Sequence, residues 1–258
     1  MSPVADSAGV PFAGRSFASA PPGPGDDGTA PPRLLDALTR FRARELDVTA
    51  VIRELHDSRV LIPLVAVRGD EGVGAHGQLV DKTQELSIVT VAGPDGRTVL
   101  PAFTSVEAMQ RWDATARPIP IEASRVAIAA ASEGTPLIVI DPASVTEFAV
   151  RASAFEALAT GVPWVPCFDD PAVRDAFVES VAGEEAVRAV HLAPGDPQSR
   201  LAGPELRVRL SVRAGLDADQ LEALLRGLQN GWAADPVIAA RVDSIAVTVE
   251  RVGETAAG

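Results

Sequence analysis

The chain has 258 residues, enough for one large or two ordinary domains, and with 47% apolar but only 4% aromatic residues its core has to be aliphatic. A formal net charge of −12, spread along the chain with no block of Lys or Arg, argues against nucleic acid and against an anionic membrane surface, since both need clustered basic side chains. Cys167 is the single cysteine, so no intramolecular disulfide is expected; with no basic-then-apolar leader and no run of 18 apolar residues, the expected setting is the cytoplasm.

Residues 1–32 are rich in Pro, Gly, Ala and Ser and read as a disordered tail, because such a composition cannot bury enough surface to offset its ordering entropy. From Arg33 the apolar spacing of Leu34, Leu35, Leu38 and Phe41 is helical. Asp47 is placed to cap a second helix carrying Val48, Val51, Ile52 and Leu55 on one side. VLIPLVAV (60–67) reads as a buried strand, followed by a Gly-rich loop, a strand over 85–93, the turn GPDG and a strand over 97–103. Asp95-Gly96 between two apolar runs is a hairpin signal. Thr104 and Glu107 have capping-box spacing ahead of a helix ending at Trp112. A short strand (118–122), a small-residue helix capped by Ser124, a buried strand (136–141), an edge strand (145–150) and a helix ending at Gly161 follow.

The second half opens with VPWVPCF. Asp170-Pro171 is an N-cap and N1 pair for a helix over 172–181. A strand (186–193) and a turn lead to LRVRLSVRA (206–214), where apolar residues alternate with Arg so that one face meets water. Asp217 and Gln220 form a capping box, Asp235-Pro236 starts a short helix, and a strand over 244–252 closes the chain. The order helix, strand, strand, helix, strand suggests helices on one face of an antiparallel sheet.

Few residues suggest chemistry. Gly72, Gly74 and Gly77 spell G-x-G-x-x-G, but Asp70 and Glu71 precede it and a strand follows it, so a connecting loop is the better account than a nucleotide site. Cys167 lies near a helix N-terminus, beside Asp169 and Asp170, which would raise its pKa; a small buried hydrophobe is expected. His56, His76 and His191 lack metal-ligand spacing, and Lys82 is in no phosphate-binding context. Asp169-Asp170 could pair for acid–base work, yet capping already accounts for one of them. Phe103, Met109 and Trp112 cluster around one helix. Exposed, they would anchor an interface; otherwise they pack the domain core.

Several of these segments resemble the SseB family, named for enhanced serine sensitivity. LPAFTSVEAMQRW (100–112) followed by PIPI (118–121) is similar to the signature of the SseB N-terminal domain. RVLIPLV (59–65) resembles that family's early strand. PLIVIDP (136–142) resembles a later one, with Asp-Pro where many members have Asn-Pro. Residues 163–258 resemble the SseB C-terminal domain more loosely. The resemblance implies no catalytic residue and no cofactor.

The expectation is therefore an α+β protein with a tail over 1–32 and compact domains over 33–162 and 163–258, each a small mixed or antiparallel sheet covered by helices. Its expected role is a non-catalytic cytoplasmic module binding a protein partner, with no metal or cofactor and with Phe103, Met109 and Trp112 as its surface. The alternatives are a small-ligand sensor or enzyme with a site between the domains, and self-association through a strand edge.

Overall fold

The computed structural model describes residues 26–67 and 85–253. The first half runs α1 (Pro32–Arg42), α2 (Val48–His56), β1 (Arg59–Val67), β2 (Glu85–Ile88), β3 (Val91–Ala92), β4 (Thr98–Ala102), α3 (Val106–Trp112), β5 (Arg117–Glu122), α4 (Ala123–Ser132), β6 (Leu137–Ile140), β7 (Phe148–Arg151) and, after a 3₁₀ turn, α5 (Phe155–Thr160). The second half runs α6 (Pro171–Ser180), β8 (Val187–Pro194), β9 (Leu206–Arg213), α7 (Ala218–Ala234), α8 (Pro236–Arg241) and β10 (Ile245–Val252). The fold is mixed α+β.

Local chemistry sets most element ends. Asp47, Asp170 and Asp235 each accept backbone N–H bonds in the first turn of α2, α6 and α8. Asp217 and Gln220 close a reciprocal capping box on α7. Gly161 ends α5 at φ 74°, a left-handed position that favours glycine. Two expected caps differ. The cap of α3 is Ser105, which accepts from the Ala108 N–H, while Thr104 is buried and spends its hydroxyl on Asp141. Ser124 lies inside α4, whose N-cap Glu122 makes no side-chain capping bond. The end of the expected tail is also tied down: Arg59 grips the Asp26 carboxylate through Nε and Nη2 (both 2.8 Å), and Val106 N–H bonds the Gly28 carbonyl (2.9 Å). Residues 1–25 lie outside the described residues.

The first half contains two small sheets. One has the order β2-β1-β5 and is antiparallel. The other has the order β3-β4-β6-β7, with β4 and β6 parallel because α3, β5 and α4 form the connection between them. A bridge between Leu61 and Phe103 joins the sheets. The expected strand over 85–93 is thus divided, β2 pairing in one sheet and β3 in the other. Helices α1, α2, α4 and α5 supply residues to a core on one face, with Ile138 and Ile140 of β6 pointing into it. Leu137 and Val139 of the same strand are buried on the opposite face. The continuous apolar run of β6 reflects this cover on both sides.

In the second half β8 and β9 are antiparallel, but β10 is parallel to β9. Of the two expected forms, mixed or antiparallel, this sheet is the mixed one. The α7–α8 segment is a crossover that returns the chain to the starting end of β9. Helices α6, α7 and α8 cover one face, where Phe177 and Trp232 (ring centroids 5.1 Å apart) pack over Leu206, Val208, Leu210 and Val212. On the other face Arg207, Arg209 and Arg213 are exposed, as the alternation predicts.

Candidate functional site

The segment Gly195–Glu205, between β8 and β9, presses onto the first half. Asp196 holds its bend by accepting the N–H groups of Arg200 (3.2 Å) and Leu201 (2.8 Å), with Ser199 and Leu201 at positive φ. This turns the Leu201 side chain, 5% exposed, into the cluster of Val99, Leu137, Val139 and Ala149 on the outer face of the first half's sheet. The edge of β7 is capped at the same place: Ala149 N–H donates to the Ser199 carbonyl at 2.7 Å. Arg42 of α1 donates to the Gln198 carbonyl, and Arg200 reaches back to the Ser144 carbonyl at 2.9 Å.

Arg151, at the end of β7, is the centre of a buried polar network between the halves. Its Nη1 donates to Asp243 Oδ2 (2.8 Å) and Ser244 Oγ (3.2 Å). Its Nη2 donates to Asp196 Oδ2 (3.0 Å) and the Gly203 carbonyl (2.8 Å). Arg97 meets Asp243 from the other side, Nη1 lying 2.8 and 2.9 Å from its two oxygens. Burial opposes ionisation of Asp243, but hydrogen bonds from Arg97 and Arg151 outweigh it and hold its carboxyl below the ordinary value.

Glu205 shows the reverse balance. Burial pushes its pKa up, against hydrogen bonds from Ser153 Oγ (2.5 Å) and Asp243 N–H (2.6 Å). Burial, and then the neighbouring Glu205, push the Cys167 thiol up as well. Cys167 therefore stays a thiol and packs in the second core, as a small buried hydrophobe does.

Beside this network lies a cavity of about 270 Å3 between the halves. Its walls are aromatic: Phe41 of α1 meets Phe148 of β7 edge to face (5.3 Å, 81°), and Trp164 and Phe168 come from the segment joining the halves. Arg151, Asp196 and Glu205 supply polar groups, with Asp47 and exposed Asp169 also lining the space. The volume is close to the small end of ligand pockets, suited to a molecule the size of an amino acid or a single ring system. The polar side chains of the network already bond one another and so hold the shape of this space.

Phe103 and Met109 are fully buried, packed with Leu61 and Ala116, and Trp112 is half-buried with its ring 5.4 Å from that of Phe103. The expected surface patch is thus core: α3 lays its apolar side onto β1, and only Trp112 keeps an exposed part. Asp170 caps α6 and pairs with Arg241 (2.7 Å), while Asp169 goes to the cavity. His56 Nδ1 bonds the Leu158 carbonyl (2.9 Å), and His191 is exposed on β8. Gly72, Gly74, Gly77, His76 and Lys82 lie outside the described residues. Sequence reasoning missed Arg151, Asp196, Glu205 and Asp243. Arg151 lies 45 and 92 positions from Asp196 and Asp243, which it bonds across the junction, and no local motif marks any of the four.

Among the described residues no helix is long and apolar enough to cross a membrane, and no three His, Cys, Asp or Glu side chains gather as a metal site. Residues 34–157 match the family described as the SseB protein N-terminal domain. No curated protein and no solved structure matches the chain. The matched span contains Phe41, Phe148 and Arg151 and stops before Trp164, Asp196 and Glu205, so the cavity straddles its boundary.

Proposed function

We propose that this chain, which belongs to the SseB family through residues 34–157, is a non-catalytic cytoplasmic binding protein that takes a small ligand between its two halves. The observation that carries the reading is the aromatic-walled cavity of about 270 Å3 set against the Arg151 network. Pockets at the meeting of two packed units commonly hold ligands. Here Phe41 and Phe148 come from one half, Glu205 and Asp196 from the other, so a bound molecule touches both. The side chains best suited to catalysis are engaged elsewhere. The Cys167 thiol is pushed away from its reactive form, and Asp196 and Asp243 neutralise arginines. A buried free thiol suits a reducing compartment.

A protein-docking role through Phe103 and Met109 loses its anchor, because both are buried. A thermal-shift screen of the full chain against amino acids, nucleotides and common metabolites tests the small-ligand reading. Ligand at 100 times its dissociation constant adds about 2.7 kcal/mol of stability. A saturable rise in Tm that is lost in Thr49→Trp, which places a bulky ring in the cavity lining, supports it. A flat screen, or hits indifferent to Thr49→Trp, contradicts it.

A further inference from the structure

We propose that the open face of the β8-β9-β10 sheet is a docking surface for an acidic polypeptide segment of a partner protein. The inference is independent of the cavity and rests on four observations about β9, the central strand.

Alternation sends Leu206, Val208, Leu210 and Val212 into the core and leaves Arg207, Arg209 and Arg213 on the opposite face, all exposed. Among the described residues none of the three has a carboxylate within salt-bridge distance, as is also true of Arg188 on β8 and Arg251 on β10. Their cross-strand neighbours are short or basic. Arg207 lies between Ala193 and Ala246, Arg209 between His191 and Thr248, and Glu250, opposite Ser211, is the one acidic residue in these rows. No Phe, Tyr or Trp stands on this face of β9 or at the paired positions, where His191 is the single ring. Among the described residues the three guanidinium groups are the longest side chains on this face of β9, where Ser211 between them is buried, on a chain whose net charge is −12.

Three unpaired arginines in one row favour a row of carboxylates. Alternate residues of a strand are about 6.8 Å apart. That spacing is met by Glu or Asp at alternate positions of an extended segment, or at i and i+4 of a helix, about 6 Å apart along its axis. Arginine forks bind carboxylates in two-point fashion. A nucleic acid fits less well. Open sheets that bind single strands do so with platforms of two or more stacking rings, and this face offers only His191.

The test uses the full chain and two fluorescent probes of equal length and concentration at low salt, poly-L-glutamate and oligothymidylate, read by anisotropy. Expected are saturable binding of poly-L-glutamate, a weakening of roughly tenfold or more in the triple variant Arg207→Glu/Arg209→Glu/Arg213→Glu, and no change in Arg226→Glu, which reverses a charge on the exposed side of α7. Circular dichroism confirms that the variants are folded, and Arg209→Gln alone gives a smaller loss if the triple variant is not. The proposal is overturned if poly-L-glutamate does not bind or binds the variants equally, or if oligothymidylate binds more tightly. It is also overturned if light scattering shows a dimer that the triple variant dissolves, since the face would then be covered by a second copy.

Discussion

Arg151 and Asp243 meet across the junction at 2.8 Å (Nη1 to Oδ2), with side chains only 8% and 5% exposed. A pair this buried contributes less through its own attraction than through what happens when one member is lost. Arg151→Met leaves Asp196 without its guanidinium partner and Asp243 with Arg97 alone. The expected loss is about 3 to 5 kcal/mol, measured by urea unfolding. Adding Asp196→Asn should restore part of it by removing the stranded charge while keeping an acceptor for the Leu201 N–H.

Glu205 predicts a pH dependence. Burial raises its folded pKa above the ordinary 4.5, so the folded chain holds this proton more tightly than the unfolded one. That contribution to stability is full below 4.5 and is lost as pH rises through the folded value. In Glu205→Gln it is absent. The stability of wild type relative to Glu205→Gln should fall as pH rises above 4.5 and then level off, measured by denaturant titration at several pH values. Asp243 works in the opposite sense: its contribution is present above 3.8 and is lost as pH falls through its lowered value, and this persists in Glu205→Gln.

Leu201 fastens the second half to the first. Leu201→Ala empties a site walled by Val99, Leu137 and Val139, and the expected cost is about 2 to 5 kcal/mol. Limited proteolysis should then cut within Gly195–Glu205, where the wild-type chain resists.

Gly161 and His56 bring the C-terminal end of α5 against that of α2. A Cβ at Gly161 would lie 2.8 Å from His56 Nε2, and the imidazole is held through Nδ1 by the Leu158 carbonyl. Gly161→Ala also places a side chain at φ 74°. A loss of about 1 to 2 kcal/mol is expected from the left-handed backbone, seen as a lower Tm.

The elements were legible wherever their ends carry local chemistry. Asp47, Asp170, Asp217 with Gln220, Asp235 and Gly161 stop or start helices as their sequence contexts predict. The alternation of β9 showed its wet face. Neighbour-scale signals failed where distant groups compete for a side chain. Thr104 is drawn off to Asp141, 37 positions away, so the cap passes to Ser105. Phe103, Met109 and Trp112 were recognisable as a cluster that either anchors an interface or packs the core, and it is β1, some 40 positions upstream, that makes it core. The junction was anticipated only as a place. Arg151 ends an apolar strand and looks like any solvated terminus, and its partners Asp196 and Asp243 sit in turns with no motif of their own.

On the proposed function a small molecule occupies the space between Phe41, Phe148 and Trp164. Native mass spectrometry of the full chain mixed with pooled metabolites tests it most directly. One small molecule bound per chain is expected in the wild type and none in Thr49→Trp. No adduct, or the same adduct on both proteins, would contradict it.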